Sequence, residues 1–276
     1  MNQHYYQEPG YVGRLYAQAA HITKRGQFLK RFANQRYSQR DLMLRLLGRL
    51  DGLNIADIGA GNCTWLAKLS TAHPHNQFTA VDIVWPADVS AVSGIKRVLY
   101  DGVTLAQSPK SWDVVFIMHM LYHLSDPVAW LRQIPDLLAP GGRVMITTKS
   151  AASLPQLEAA FSRVAADLGW PQTIVGRGRD EGHFANENGL SILGQVFTSG
   201  RYTIREYVTT TQLWIDDREA LLEYILSTPR YQPSSHGLWL PDSTYRQAWM
   251  KQLGADSIFF DTHQQVLYDI TSNPRV

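Results

Sequence analysis

The chain has 276 residues, 45% of them hydrophobic and 18% charged, enough to bury the core of one large domain or of a domain with an elaborate cap. A formal net charge of +2 is too small to point to a nucleic-acid or membrane partner, and no run reaches the roughly 18 apolar residues of a membrane span. The single cysteine, Cys63, excludes an intramolecular disulfide and any multi-cysteine metal site, and the polar start "MNQHYYQEPG" has no signal-peptide pattern, so a soluble cytoplasmic protein is expected.

Residues 1–36 are rich in Tyr, Gln and Arg and read as helical pieces outside the main core. A capping box at Ser38 and Asp41 then opens a helix whose Leu42, Leu46 and Leu50 recur at helical spacing. The first strand is expected over 53–58, followed by a glycine bend and the helical "TWLAKLSTA". Short strands "FTAVDI" (78–83) and "RVLYDG" (97–102) each carry an acid near their end, Asp82 and Asp101. "DVVFIMHM" (113–120) is a continuous apolar run, as expected of a strand covered on both faces of a parallel sheet. Asp126-Pro127 opens a helix that Pro135 kinks or splits, and "APGGRVMITTK" turns into a fifth strand.

Strand and helix alternate through residue 150, the signature of a doubly wound α/β sheet. Beyond it come a helix at 154–168, the loop "VGRGRDEGHF", a strand around 202–210, a helix capped at Asp216 with Glu219, and a last strand at "QQVLYDI". The whole reads as a single domain, 1–276, with a Rossmann-like sheet of about seven strands. It divides into a helical N-terminal cap (1–36), a core (37–150), and a substrate lid with the last strands (151–276), the lid itself spanning about 171–260.

The stretch "NIADIGAGNCTWLAKL" joins Asp57 to Gly59, Gly61 and the start of a helix. Such a bend lets a ligand approach the backbone and meet free helix N–H groups. A dinucleotide fingerprint would need a third glycine where Thr64 stands, and no Gly-Lys-Ser/Thr follows for a P-loop. What remains is acid-x-Gly-x-Gly with further acids on the next two strands. A phosphate-free ligand with an amino-acid tail, a ribose and an adenine suits that set. Asp57 would serve the tail ammonium, Asp82 the ribose hydroxyls, and Asp101 with the Gly102 backbone the adenine amino group.

In "IADIGAGN", "AVDI", "YDGVTL", "WDVVFIMHMLYHLSDPVAWL" and "LLAPGGRVMITT", in order over 53–150, the chain resembles the class I S-adenosylmethionine-dependent methyltransferases of the small-molecule type. The segment "HFANENG" (183–189) resembles a stretch found in a subset of them, and Cys63 departs from the Gly of many members. The resemblance implies S-adenosylmethionine as cofactor, with Arg36, Tyr37, Asp57, Gly59, Gly61, Asp82, Ile83, Asp101, Gly102, Met118 and His119 around it. Relatives often touch the cofactor carboxylate at the place of Arg36 and Tyr37.

His119 ends the fourth strand, where open sheets bind ligands. An unperturbed imidazole there would be a general base near working pH. Glu187 and His183 are the further catalytic candidates. His123 reads as a structural hydrogen-bonding residue, while Arg177 and Arg179 read as a solvated loop. Tyr5, Tyr6, Tyr11 and Tyr16 read as packing that could cap a pocket.

Nucleic-acid amino methyltransferases resemble one another in an Asp/Asn-Pro-Pro-aromatic segment where this chain reads His119-Met120-Leu121-Tyr122. Cytosine C5 enzymes need a nucleophilic cysteine, and catechol-type enzymes place a metal-binding Asp where His119 stands. The expectation is metal-free methylation of O, N or C on a small metabolite, in secondary metabolism, without nucleic acid or membrane. Eight Trp and 11% aromatic residues hint at an apolar or aromatic substrate. The alternatives are a non-catalytic S-adenosylmethionine-binding partner or regulator, an enzyme acting on RNA or protein, and, disfavoured by Thr64, a nicotinamide oxidoreductase.

Overall fold

The structure is a computed structural model that describes residues 19–34, 38–86, 92–105, 109–171, 173–176, 184–254 and 258–273. Arg36, Tyr37, Arg177, Arg179, His183 and the four N-terminal tyrosines lie outside the described residues.

Seven strands form one sheet in the order β3-β2-β1-β4-β5-β7-β6. They are β1 (Asn54–Ile58), β2 (Gln77–Asp82), β3 (Ile95–Leu99), β4 (Trp112–Met118), β5 (Leu138–Lys149), β6 (Tyr202–Ile215) and β7 (Phe259–Ser272). Strands β1 to β5 pair in parallel, while β7 runs antiparallel to both β5 and β6. Helices α1 (Ala19–Phe32), α2 (Gln39–Leu47), α3 (Thr64–Ala72), α4 (Pro127–Leu131), α5 (Ile134–Leu137), α6 (Pro155–Asp167), α7 (Thr173–Gly176), α8 (Asn186–Gly194), α9 (Arg218–Ser227) and α10 (Asp242–Gln252) complete the fold. The doubly wound sheet expected from the alternation is present, with its antiparallel pair at one edge.

Local chemistry explains the boundaries. Ser38 and Asp41 form the expected capping box: the Asp41 carboxylate accepts from the Ser38 amide at 2.7 Å, and the Ser38 hydroxyl accepts from the Asp41 amide. Pro135 splits the expected helix into α4 and α5. Strand β3 stops at Leu99, short of the expected 102, because Asp101 Oδ1 accepts from the Val103 and Thr104 amides and turns the chain. The second cap is Asp217, not Asp216: its carboxylate accepts from the Ala220 amide at 2.9 Å. Strand β6 runs to Ile215, past the expected 210, because β7 offers a partner along its whole length.

Alternation along the strands sorts side chains onto two faces. One face carries Ile58, Ile117, Ile146, Val266 and Tyr268, packed with Phe184 and Leu193 of the α8 region. The other carries Ile55, Phe116, Met145 and Leu267 under α2 and α3, and, farther along β6, Leu213 and Ile215 under the lid core. That lid core gathers Phe161, Tyr231, Tyr245 and Trp249 from α6, α10 and the turn between α9 and α10, with Phe28 of α1 stacked on Tyr224. Each fully buried Leu or Phe there contributes roughly 1.5–3 kcal/mol. Strand β6 belongs to the main sheet, so the residues expected as a lid, 171–260, are two stretches on either side of it.

Candidate functional site

The three acids end up at the C-terminal tips of three adjacent strands. Asp57 is the penultimate residue of β1, Asp82 the last of β2, and Asp101 lies two residues past β3. Asp57 is 1% exposed, and among the described residues neither of its carboxylate oxygens has a hydrogen-bond partner. Burial pushes its carboxyl up to about 7; the Arg40 charge opposes this and the Asp82 charge adds to it. Arg40, exposed on α2, lays its guanidinium 5.4 Å from the Trp65 ring.

Asp82 is held by the chain it faces. Its Oδ2 accepts from the Gly61 amide at 2.7 Å, and its Oδ1 accepts from the amides of Ile83 (2.7 Å) and Val84 (3.3 Å). Burial raises its carboxyl, and these three amides oppose the rise. Asp101 is fully exposed; the Thr104 and Val103 amides hold its carboxyl below the usual range, and Gly102 beside it has φ +85°.

The glycine bend is a steric requirement. Gly59 sits at φ +78°, and a Cβ built there would lie 2.8 Å from Met120 Cγ. Cys63 also lies in the left-handed region, at φ +54°, a conformation that glycine adopts without strain. Its thiol is buried and pushed up to about 11 by desolvation, so it packs as a small apolar group.

Met118 ends β4, and His119 follows at φ +53°, strained for a residue with a Cβ. The His119 amide donates to the Thr147 carbonyl at 2.9 Å, which fixes the turn. The ring sits in a cationic neighbourhood: desolvation first, then His263, Lys149, Arg40 and Arg25, pull its pKa down to about 3. The sequence reading took an unperturbed imidazole; in these surroundings the ring is held toward its neutral form. Gln265 Nε2 lies 3.4 Å from His119 Nε2; an amide nitrogen only donates, which makes Nε2 the acceptor and leaves the proton on Nδ1. His123 closes the following 3₁₀ turn, its ring 4.5 Å from that of Tyr122.

Several residues at the site were not singled out from the sequence. Lys149 pairs opposite Gln265, and His263 pairs opposite Thr211, all on the sheet face that carries Asp57. Thr147, two residues before Lys149, keeps a buried hydroxyl without a partner among the described residues. Lys149 is accessible to solvent, yet enclosed enough that desolvation brings its ammonium down to about 8, with Arg230 and Arg25 lowering and Glu158 raising. His263 is drawn down to about 4 by burial and then by Lys149. The signal for this row was the polar run that ends "MITTK" and the one that opens "THQQVL", which take on meaning only once β5 and β7 are known to pair.

Glu187 is not brought to this row. It lies in the first turn of α8, where Oε1 accepts from the Ser150 hydroxyl at 2.5 Å and Oε2 from the Ala151 amide at 3.0 Å. Burial alone would raise its carboxyl, but these bonds outweigh it and hold it low. α8 packs on the opposite sheet face, beneath Thr148 and Tyr268.

A family model described as a methyltransferase domain matches residues 29–188. The ubiquinone biosynthesis O-methyltransferase of Aeromonas salmonicida (strain A449) is 34% identical over 109 residues, which are 37% of this chain and 45% of that protein. The tRNA U34 carboxymethyltransferase of Desulfotalea psychrophila is 29% identical over 112 residues, 36% of this chain and 33% of that protein. The chain thus spans less than half the length of these curated relatives. Among solved structures, the (4+2)-cyclase SpnF superposes with a TM-score of 0.53 at 14% identity, covering 96% of each chain, a likeness of fold alone. With the family model matching more than half of its length, and with the strand order and acid-tipped glycine bend described above, this chain belongs to the class I S-adenosylmethionine-dependent methyltransferases.

Proposed function

We propose that the protein transfers a methyl group from S-adenosylmethionine to an O, N or C atom of a small-molecule metabolite. The observation that carries this reading is Asp57, a buried carboxylate with both oxygens unpartnered beside a side-chain-free bend. Such a group is costly unless a ligand donor or cation meets it. The fit is good: Asp57 would take the ammonium directly or through water, Asp82 the ribose hydroxyls, and Asp101 with Gly102 the adenine edge. S-adenosylmethionine, when bound, supplies an electrophilic methyl group on a positively charged sulfur.

The chain's own work is alignment. The Gly61 and Ile83 amides fix the Asp82 carboxylate, and the strained turn at His119 sets a neutral ring at the tip of β4. With a leaving group this good, holding the acceptor atom in line supplies much of the barrier reduction. His119 serves as a hydrogen-bonding guide for the acceptor rather than as a strong base. The small-molecule reading draws support from the lid core over the same sheet face and from the near-neutral net charge. Calorimetry with S-adenosylhomocysteine tests the cofactor: saturable binding is expected, and none at millimolar ligand overturns it. A labelled-methyl assay offering tRNA beside a pool of small metabolites tests the acceptor, with label expected only in the metabolites.

A further inference from the structure

The sheet face that carries Asp57 changes character along its length. Under α2 and α3 it is apolar, with Phe116, Met145 and Leu267 buried. Under the lid it is apolar again, with Leu213 and Ile215. Between these patches lies a polar row: Thr147 and Lys149 on β5, Gln265 and His263 on β7, and Thr211 on β6. His119 reaches this row through Gln265. Farther along β7, Asp261 is already committed, accepting from the Gln156 and Leu157 amides at the start of α6.

The charges on the row do not balance. Among the described residues, Lys149 forms no ion pair; its recorded contact is with the Tyr122 ring, 6.0 Å from the ammonium. Arg25 acts on Lys149 from α1, three residues before the buried Phe28 and so near the same helix face. Arg230 also acts on it, but that guanidinium is bound by both oxygens of Glu158. His119 and His263 stay neutral and add hydrogen-bonding edges without charge. An exposed ammonium without a carboxylate partner among the described residues, beside neutral donors and acceptors, is complementary to an anion. Its place separates it from the cofactor acids: β5 lies two strands from β1, about 10 Å at the usual strand spacing.

We propose that the acceptor substrate carries a compact oxyanion, a carboxylate or a phosphate, and that Lys149 binds it on this row beside His119. The proposal rests on the methyl-transfer reading and names the substrate class for it. Lys149 supplies the contact, and the Gln265 and Thr147 polar groups line the floor.

The test is calorimetry on the full chain with S-adenosylhomocysteine saturating, using benzoate, inorganic phosphate and neutral benzamide as probes. One of the two anions should bind and benzamide should not; whichever anion binds identifies the group. Lys149→Met should weaken that anion by about tenfold or more, while Lys149→Arg retains it and both keep the wild-type affinity for S-adenosylhomocysteine. The proposal is overturned if neither anion binds, if Lys149→Met binds as the wild type does, or if Lys149→Met loses S-adenosylhomocysteine as well. Should Lys149→Met melt early, Lys149→Gln takes its place in the comparison. A failure of S-adenosylhomocysteine to bind anything overturns the methyl-transfer reading instead, and the anion titrations repeated without it still read Lys149.

Discussion

Asp57 and Asp82 are neighbours with different roles, and the difference is one of hydrogen bonding. Asp82 is satisfied by three backbone amides and keeps lone pairs for a ligand, whereas Asp57 has none of its demand met. Asp82→Ala should therefore weaken S-adenosylhomocysteine by about 1–3 kcal/mol in calorimetry, and unchanged affinity would remove Asp82 from the site. Asp57 makes a stability prediction as well. Its carboxyl rises to about 7 in the folded chain, so between pH 4 and 7 the folded state holds a proton that the unfolded state has released. Stability of the ligand-free protein thus falls as pH rises through that window. Asp57→Asn should raise the melting temperature at pH 8 by several degrees, at about 2–4 °C per kcal/mol, and change it little near pH 4, while abolishing tight cofactor binding. No gain at pH 8 would show that Asp57 already has a partner. His119→Ala should leave S-adenosylhomocysteine affinity nearly intact and lower turnover; normal turnover would make the ring mere lining.

At the scale of elements, what the sequence made legible follows from how local each signal is. The Ser38–Asp41 box, the Asp126-Pro127 start and the helix break at Pro135 are written within four or five residues, and each was readable. The acids at the strand tips were readable too, because an apolar run ending in an acid is itself a local pattern. The row around Lys149 was not, since it depends on β5 meeting β7 more than a hundred residues later. The position of His119 at the end of β4 was readable, whereas the pull on its ring was not, because its surroundings come from β5, β7, α1 and α2 together. The cap of α9 was misplaced by one residue, for Asp216 and Asp217 are adjacent and only geometry chooses between them. Asp217→Ala should cost about 1 kcal/mol in denaturant unfolding through the lost cap, and Asp216→Ala close to nothing. The ion pair of Asp217 with Arg31 of α1, 2.9 Å and exposed, adds little to that figure. Equal losses in the two variants would deny the cap its role.

For the molecule as a whole, strand β7 is the shared member. It pairs with β5 of the cofactor half on one side and along its full length with β6, which carries the lid, on the other. Arg143 on β5 and Asp269 on β7 fasten that seam with two bonds of 2.6 Å, and Arg143 also donates to the Leu46 carbonyl at the end of α2. Asp269 is fully buried, so its removal leaves a largely buried guanidinium with its carboxylate gone. Asp269→Ala should cost about 3–5 kcal/mol. Because lid core and cofactor half hang from the same strand, the loss should be felt by both at once. The melting curve followed by far-ultraviolet dichroism and the one followed by tryptophan fluorescence, which samples Trp249 in the lid and Trp65 beside the glycine bend, should shift together by on the order of 10 °C. A fluorescence trace that splits into two steps, one shifted with the dichroism and one left in place, would mean that the lid core folds on its own account, and that β7 is an edge for it rather than a common support.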